Sequence, residues 1–488
     1  MNYSQFLEMM PEAFLVLELL IVFFADLFLM KDEQKSRKLG LIATGALLMQ
    51  TCLMFGLQDP TEAFGGLYVT SEMVNVMKII LTFGTLIVVV MAQPWVDGRQ
   101  KVAGEFYELV FSTLLGMYVM MSSGHFLMFF LGLEMASVPM ACLVALDKLK
   151  KDSAEAAAKY ILTATFSSGI MLYGISFVYA AAGTLYFGDV ATALTARFAE
   201  SQGLLNVALP VLGLAFFFSG LGFKISLVPF HFWTADTYQG APTPVTGYLS
   251  VVSKGAAALT LAIILMKVFA PMTAYWEPML YIVVVLSITI ANLFAIRQTE
   301  LKRFMAFSSI SQAGYIMLAV IGNSQLGVAA LTFYVLVYVV ANMAVFTVIS
   351  TVEHNGGNTQ MSCYNGLYQT NPKLALLMTI ALFSLAGIPP FAGMFSKFFV
   401  FLAAVGGHES APFWPYFVVF VALINTVVSL YYYLLIVKAM YIKSSDNPLP
   451  TFKSDESTKI ALGICTVGIA LFGICSCIYD YLFAASAF

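Results

Sequence analysis

The chain has 488 residues, 60% of them hydrophobic and only 10% charged, with a formal net charge of −3 and a mean hydropathy of +0.86. Soluble domains run nearer ~45–50% apolar and ~25% charged, so a soluble domain is excluded and a polytopic membrane protein remains. The small net charge says nothing in favour of nucleic acid. Six cysteines with no CxxC and no Cys/His cluster imply no disulfide framework, zinc site or iron–sulfur site.

The apolar blocks are helix-length and lack the short alternating segments of a barrel, so an all-α fold is predicted, with about 14 spans at ~20 residues each. They are Glu12 to Met30, Leu39 to Leu57, Val74 to Ala92, Phe106 to Met121, Phe126 to Leu146, Ala157 to Ala182 and Leu204 to Phe230. The rest are Pro244 to Ala270, Met279 to Ile296, Phe304 to Ile321, Leu326 to Val352, Leu374 to Val405, Phe413 to Tyr441 and Ile460 to Leu482. The first block starts after Pro11 and continues into an ordinary span, so no cleavable signal peptide is expected. Loop charges support an even count with both termini outside. Lys31, Lys35, Arg37 and Lys38 then fall inside, as do Arg99, Lys148, Lys150 and Arg297, whereas the outer loops keep only Arg197. Lys78 and Lys267, toward outer ends of their spans, are read as snorkelling. Lys224, Lys254 and Lys397 have no such exit.

Glu134 comes first of the membrane charges. It is far from either end of the fifth span, where a carboxylate is expensive unless protonated or paired. Lys224 closes the apolar run of the seventh span, and Pro229, five residues on, should kink or open that helix and free backbone carbonyls. A lysine able to lose its proton beside a helix break suggests a proton or cation path, with snorkelling as the plainer alternative. A carboxylate near it would make a pair whose proton affinity depends on their separation, or a buried pair serving assembly alone. His231 follows the break and is read either as a proton relay or as a cap on the freed backbone. Lys254 follows the small-residue-rich start of the eighth span.

On the eleventh span Tyr334, Tyr338 and Asn342 recur every four residues, which puts them on one helix face, for a water chain or for ordinary interhelical hydrogen bonds. Lys397 sits in a second interrupted segment, FSLAGIPPFAGMFSKFFVFL, with Pro389 and Pro390 inside. The two Pro-Phe breaks fall five spans apart. An odd repeat unit inserts its second copy upside down, so two inverted five-helix repeats with two broken helices are expected. The corresponding segments are helices 1–3 over residues 1–104, a first repeat over 105–270, a second over 271–443, and a last helix over 444–488.

Taken together, GLGFKISLVPFHFWTADTYQGAPTPV, the VSKGA of Lys254, LKRFMAFSSISQAGY from Leu301 to Tyr315 and LAGIPPFAGMFSKF resemble the antiporter-type membrane subunits of NADH-quinone oxidoreductase, respiratory complex I. The resemblance runs from about the fourth span through the thirteenth. It is greatest to the N-type members: Lys397 stands where the M type has glutamate, and the chain stops soon after the fourteenth span, without the long lateral helix of the L type. The resemblance implies that Glu134 and Lys224 form a pair on the fifth and seventh helices, that Lys254 is a central relay and that Lys397 is the lysine of a second channel. Lys159, in AAAKYILTATF, matches a further family lysine, though its loop-edge position leaves a structural role equally open. Ala235 departs from the proline common in the family.

With no GxGxxG, P-loop, flavin or metal motif, the chain itself neither oxidises NADH nor reduces quinone. The resemblance implies a proton-translocating subunit of the translocase, free of cofactors, with NADH, FMN, iron–sulfur clusters and quinone in partner subunits. Its neighbours would be M-type and K-type membrane subunits and, through them, the peripheral arm. The expected location is the bacterial cytoplasmic (inner) membrane, with both termini on the periplasmic side. The alternative is a subunit of a multisubunit cation/proton (Na+/H+) antiporter, which shares the fold and much of the motif set.

Overall fold

Short polar residues open many of the helices, and glycines or prolines close or interrupt them. A computed structural model describes residues 3–200, 204–406, 413–445 and 448–487. Helices α1 (Met10–Phe28), α2 (Lys35–Met54), α3 (Glu72–Asp97) and α4 (Ala103–Met121) form an N-terminal bundle, with the Ser71 hydroxyl accepting from the Val74 amide to cap α3. Next come α5 (Phe126–Val144), α6 (Lys151–Ala182), α7 (Phe187–Glu200) and α8 (Leu204–Ile225). Gly183, at φ +74°, ends α6 in the left-handed conformation that favours glycine. At the crossing of α4 and α5, Gly116 and Gly132 let backbones meet: a Cβ on either would lie 2.3 Å from a backbone nitrogen of the other helix.

The chain then forms α9 (Phe232–Gly240), α10 (Thr243–Tyr248), a wider π-helical turn over Leu249–Ser253, and α11 (Lys254–Ile263), followed by α12 (Thr273–Ile296). Helices α13 (Leu301–Ile321) and α14 (Gln325–His354) are enclosed on nearly every side, the state expected of helices apolar all round. The chain ends with α15 (Leu367–Thr370), α16 (Pro372–Ala386), α17 (Ala392–Gly406), α18 (Phe413–Tyr441), α19 (Glu456–Ile474) and α20 (Cys477–Ala485). Helix α14 forms the spine, touching α3, α16, α17 and α19.

Among the described residues, 10 helical stretches are long and apolar enough to cross a membrane. The remaining expected spans fall on α1, α2 and α4, and on the interrupted pair α16–α17. Both predicted breaks are present. Helix α8 stops at Ile225, Ser226 turns the chain at φ +68°, and the Val228–Pro229 peptide is cis; α16 stops at Ala386, Gly387 turns at φ +87°, and Pro389–Pro390 is cis. The stretch between the sixth and seventh spans, expected as an outer loop, contains α7. It is too short to span, and it buries Val190 and Leu194 on one side.

Candidate functional site

Lys224, Lys254 and Lys397 all lie inside the helical mass, as do Lys78 and Lys302, and none of the first three meets a carboxylate at ion-pair distance among the described residues. Lys224, on the last turn of α8, donates to the Ser137 hydroxyl of α5 and, at 3.3 Å, to the Tyr160 hydroxyl of α6. Its ammonium stands 5.4 Å from the centre of the Tyr160 ring. Glu134 is three residues from Ser137 on α5 and only partly buried. Glu134 and Lys224, expected as a pair, are not in direct contact: the ammonium meets hydroxyls, and the carboxylate stands one turn away from Ser137, within electrostatic reach of the lysine.

Lys254 opens α11 directly after the π-helical turn, a local widening that recurs at functional sites. Its ammonium donates to the Ser309 hydroxyl of α13 at 2.6 Å and lies 5.5 Å from the Tyr238 ring centre. Ser309 also meets the Tyr238 hydroxyl at 3.3 Å. Asn342 of α14 donates at 2.6 Å to the hydroxyl of Ser250, within the π-helical turn. Lys254 of α11 is thus held against α13 through Ser309.

A second polar group, starting from Ser308 on the same helix, reaches toward the second break. The Ser308 and Tyr433 hydroxyls are 2.5 Å apart, Gln312 donates to Tyr433 at 3.2 Å, and Tyr334 donates to the Gln312 carbonyl. Beyond Tyr334 lies a cavity of about 10 Å³, lined by Gln312, Tyr334, Tyr338, Ser384, Ser396 and Lys397, with room for roughly one water. The Tyr338 hydroxyl is buried and has no protein partner. Lys397 donates to the Ala386 carbonyl at 3.0 Å and lies 4.9 Å from the Tyr315 ring centre. Each of the three lysines therefore has a tyrosine ring face beside it, worth ~0.5–2 kcal/mol to the charged form.

Of the secondary candidates, Tyr334 and Tyr338 are buried at the small cavity beside Lys397, and Asn342 is buried against Ser250, one turn before Lys254. Lys159 is at neither place: it is half exposed and pairs with Glu155 at 2.7 Å and Asp236 at 2.8 Å, and Asp236 also binds Arg303 at 2.7 Å. His231 stacks on Phe232, does not cap α9 and leaves its Nδ1 without a partner, while its ring bonds the Pro229 backbone at the break. The freed backbone there is also served by Trp233, whose indole donates to the Phe223 carbonyl at 3.0 Å. The snorkelling expected of Lys78 is wrong: it is fully buried and pairs with Glu12 at 2.7 Å. The polar partners Ser137, Tyr160, Ser309, Gln312 and Tyr433 were not singled out, because a serine or tyrosine within an apolar run has no period or charge to betray it.

A helical membrane domain with two interrupted helices, each beside a buried lysine, has the architecture of the antiporter-type membrane proteins. The family described as "NADH:quinone oxidoreductase/Mrp antiporter, TM" matches residues 123–429. The chain is 55% identical over 487 residues to NADH-quinone oxidoreductase subunit N of Phocaeicola vulgatus, covering 99% of each chain. It belongs to the NADH-quinone oxidoreductase subunit N family, and is a multi-pass membrane protein. It also resembles a chain of respiratory complex I from Thermus thermophilus, at 30% identity and a TM-score of 0.77 over 95% of this chain and 97% of that one. A chain of the Mrp complex from a Dietzia species matches with a TM-score of 0.83 over 98% and 97%, but at 19% identity that likeness speaks to the fold alone.

Proposed function

We propose that this chain is a proton-translocating membrane subunit of NADH-quinone oxidoreductase, and that Glu134, Lys224, Lys254 and Lys397 carry its proton relay. The observation that bears most weight is the set of partners chosen by the three lysines. A carboxylate in contact would hold an ammonium charged; hydroxyls, a carbonyl and a small cavity solvate it only weakly, so its proton can be passed on. Ser309, against Lys254, and Gln312, Tyr433 and Tyr334, toward Lys397, are groups that both donate and accept, or that turn a neighbour to do so. Lys159, in a surface-facing ion-pair cluster, is left to hold α6 against α9.

Coupling is electrostatic. Glu134 is partly exposed on this chain's surface, within reach of a neighbouring subunit's charge, and lies one turn from the Ser137 that holds Lys224. A charge arriving near Glu134 changes the proton affinity of Lys224, and the change passes inward as adjacent lysines repel one another's charge. The redox groups, FMN, iron–sulfur clusters and quinone, lie in partner subunits, and M-type and K-type membrane subunits flank the chain. The halves 105–270 and 271–443 are inverted repeats in the bacterial inner membrane, between residues 1–104 and 444–488, with both termini outside. In that orientation Lys224, before its break, and Lys397, after its break, both stand on the outer side of the interruption.

The family description also names Mrp antiporters; the relative at 55% identity is what favours the redox-coupled reading. Proton pumping per electron, measured in vesicles with Lys224→Ala and Lys397→Ala complexes, tests the proposal. Both should pump fewer protons while the complex assembles and still oxidises NADH; undiminished pumping in both sinks the relay. Sodium-driven proton exchange without redox input would transfer the chain to the antiporter reading.

A further inference from the structure

Helix α1 carries three acids, Glu12, Glu18 and Asp26, and the first two lie on one stripe with Leu15 and Val22, turned toward the rest of the N-terminal bundle. At the outer end Glu12 has Lys78 at 2.7 Å, the Tyr68 hydroxyl at 2.8 Å and the Ser122 hydroxyl at 3.3 Å. At the other end Asp26 has Lys35 at 2.7 Å. Glu18 lies between them, ~9 Å along the axis from Glu12 and ~12 Å from Asp26.

Both cations that α2 and α3 bring to this face are thus already taken. From α4 comes Tyr118, within electrostatic reach of Glu12 and Glu18, together with the acids Glu105 and Glu108 farther along. Glu105 is paired with Lys148. Glu18 itself is wholly enclosed, and both of its carboxyl oxygens lack a hydrogen-bond partner. Because nothing of it reaches the surface, no neighbouring subunit can hydrogen-bond it directly. A lone carboxylate at that depth is strongly disfavoured, whereas the neutral acid is far less so.

We propose that Glu18 is a proton-binding site: a carboxyl that holds a proton inside the N-terminal bundle, outside both repeats and about 9 Å along α1 from the buried pair Glu12–Lys78. The assignment rests on the bundle alone and stands whether or not the lysine relay operates. Its chemistry is simple. One proton from water binds one carboxyl oxygen, leaving a neutral group that glutamine can imitate in shape.

The test is the infrared spectrum of the purified, assembled complex with Glu18 and with Glu18→Gln. The expected result is full assembly of the variant and the loss of one band in the carboxylic-acid C=O region, separate from the amide bands. An assembled variant with that region unchanged overturns the proposal, because it means Glu18 was ionised. If Glu18→Gln fails to assemble, Glu18→Asp decides: a shifted acid band supports the proposal, and an unshifted one overturns it.

Discussion

The two broken helices use the same covalent device, a proline a few residues from a positive-φ turn, and satisfy the freed backbone in different ways. At the first break the Phe223 carbonyl takes the Trp233 indole, the Val228 amide takes the Ser287 hydroxyl, and Lys224 is left to the hydroxyls of Ser137 and Tyr160. At the second break the lysine itself serves the backbone, with Lys397 donating to the Ala386 carbonyl, while the Ser384 hydroxyl accepts from the Gly393 amide. The difference separates roles: Lys224 is free of the architecture of its helix, whereas Lys397 is part of the architecture it works in.

Trp233→Phe should bring the largest structural loss. It strips the indole donor and leaves a buried carbonyl unsatisfied, at ~1–3 kcal/mol, and it loosens a cluster in which Trp233 meets Tyr160 and Phe223 at 5.1 Å each. A fall in the heat-dissociation midpoint of the complex would show it. An unchanged midpoint would mean that the first break does not depend on its tryptophan.

A smaller effect should distinguish the lysines. Lys397→Met orphans the Ala386 carbonyl, and removing a buried ammonium returns part of that cost, leaving a net loss of about 1 kcal/mol. Lys224→Met removes a donor only from two hydroxyls, whose own O–H groups still find acceptors, so its midpoint should match or exceed that of the parent. Equal losses in both variants would erase the comparison.

The smallest effects should appear at the turns, with opposite signs. Gly387→Ala puts a side chain at φ +87° with its Cβ 3.0 Å from the Lys397 side chain, and should destabilise by ~1 kcal/mol or somewhat more. Ser226→Gly relieves a non-glycine residue at φ +68° whose hydroxyl has no partner, and should stabilise by up to ~1 kcal/mol. Shifts of the same sign at both turns would contradict the backbone account.

Much of this was legible in the chain. Pro229 and Pro389–Pro390 mark both breaks because proline removes a backbone donor wherever it falls. Lys224, Lys254 and Lys397 stand out because an ammonium in an apolar run far from a loop has few explanations. What was hidden depends on tertiary partners. Lys78 looks like any lysine near a helix end until Glu12, 66 residues earlier, is placed beside it. Ser309 and Gln312 lie on a helix buried all round, where no amphipathic period separates a working face from a packing face. Glu134 was found as a residue, but whether it touches Lys224 or stops one turn short was not written in the spacing. Helix α7 escaped because it is too short to read as a span.

The central claim is that protons pass between the halves through Lys254, at the α11–α13 contact. Its most direct test is the number of protons pumped per electron by the complex carrying Lys254→Met in sealed vesicles, with NADH oxidation followed in parallel. A lowered ratio with electron transfer retained is the result expected of a relay. A normal ratio in a fully assembled Lys254→Met complex would show that protons cross without this lysine, and the account would fail there.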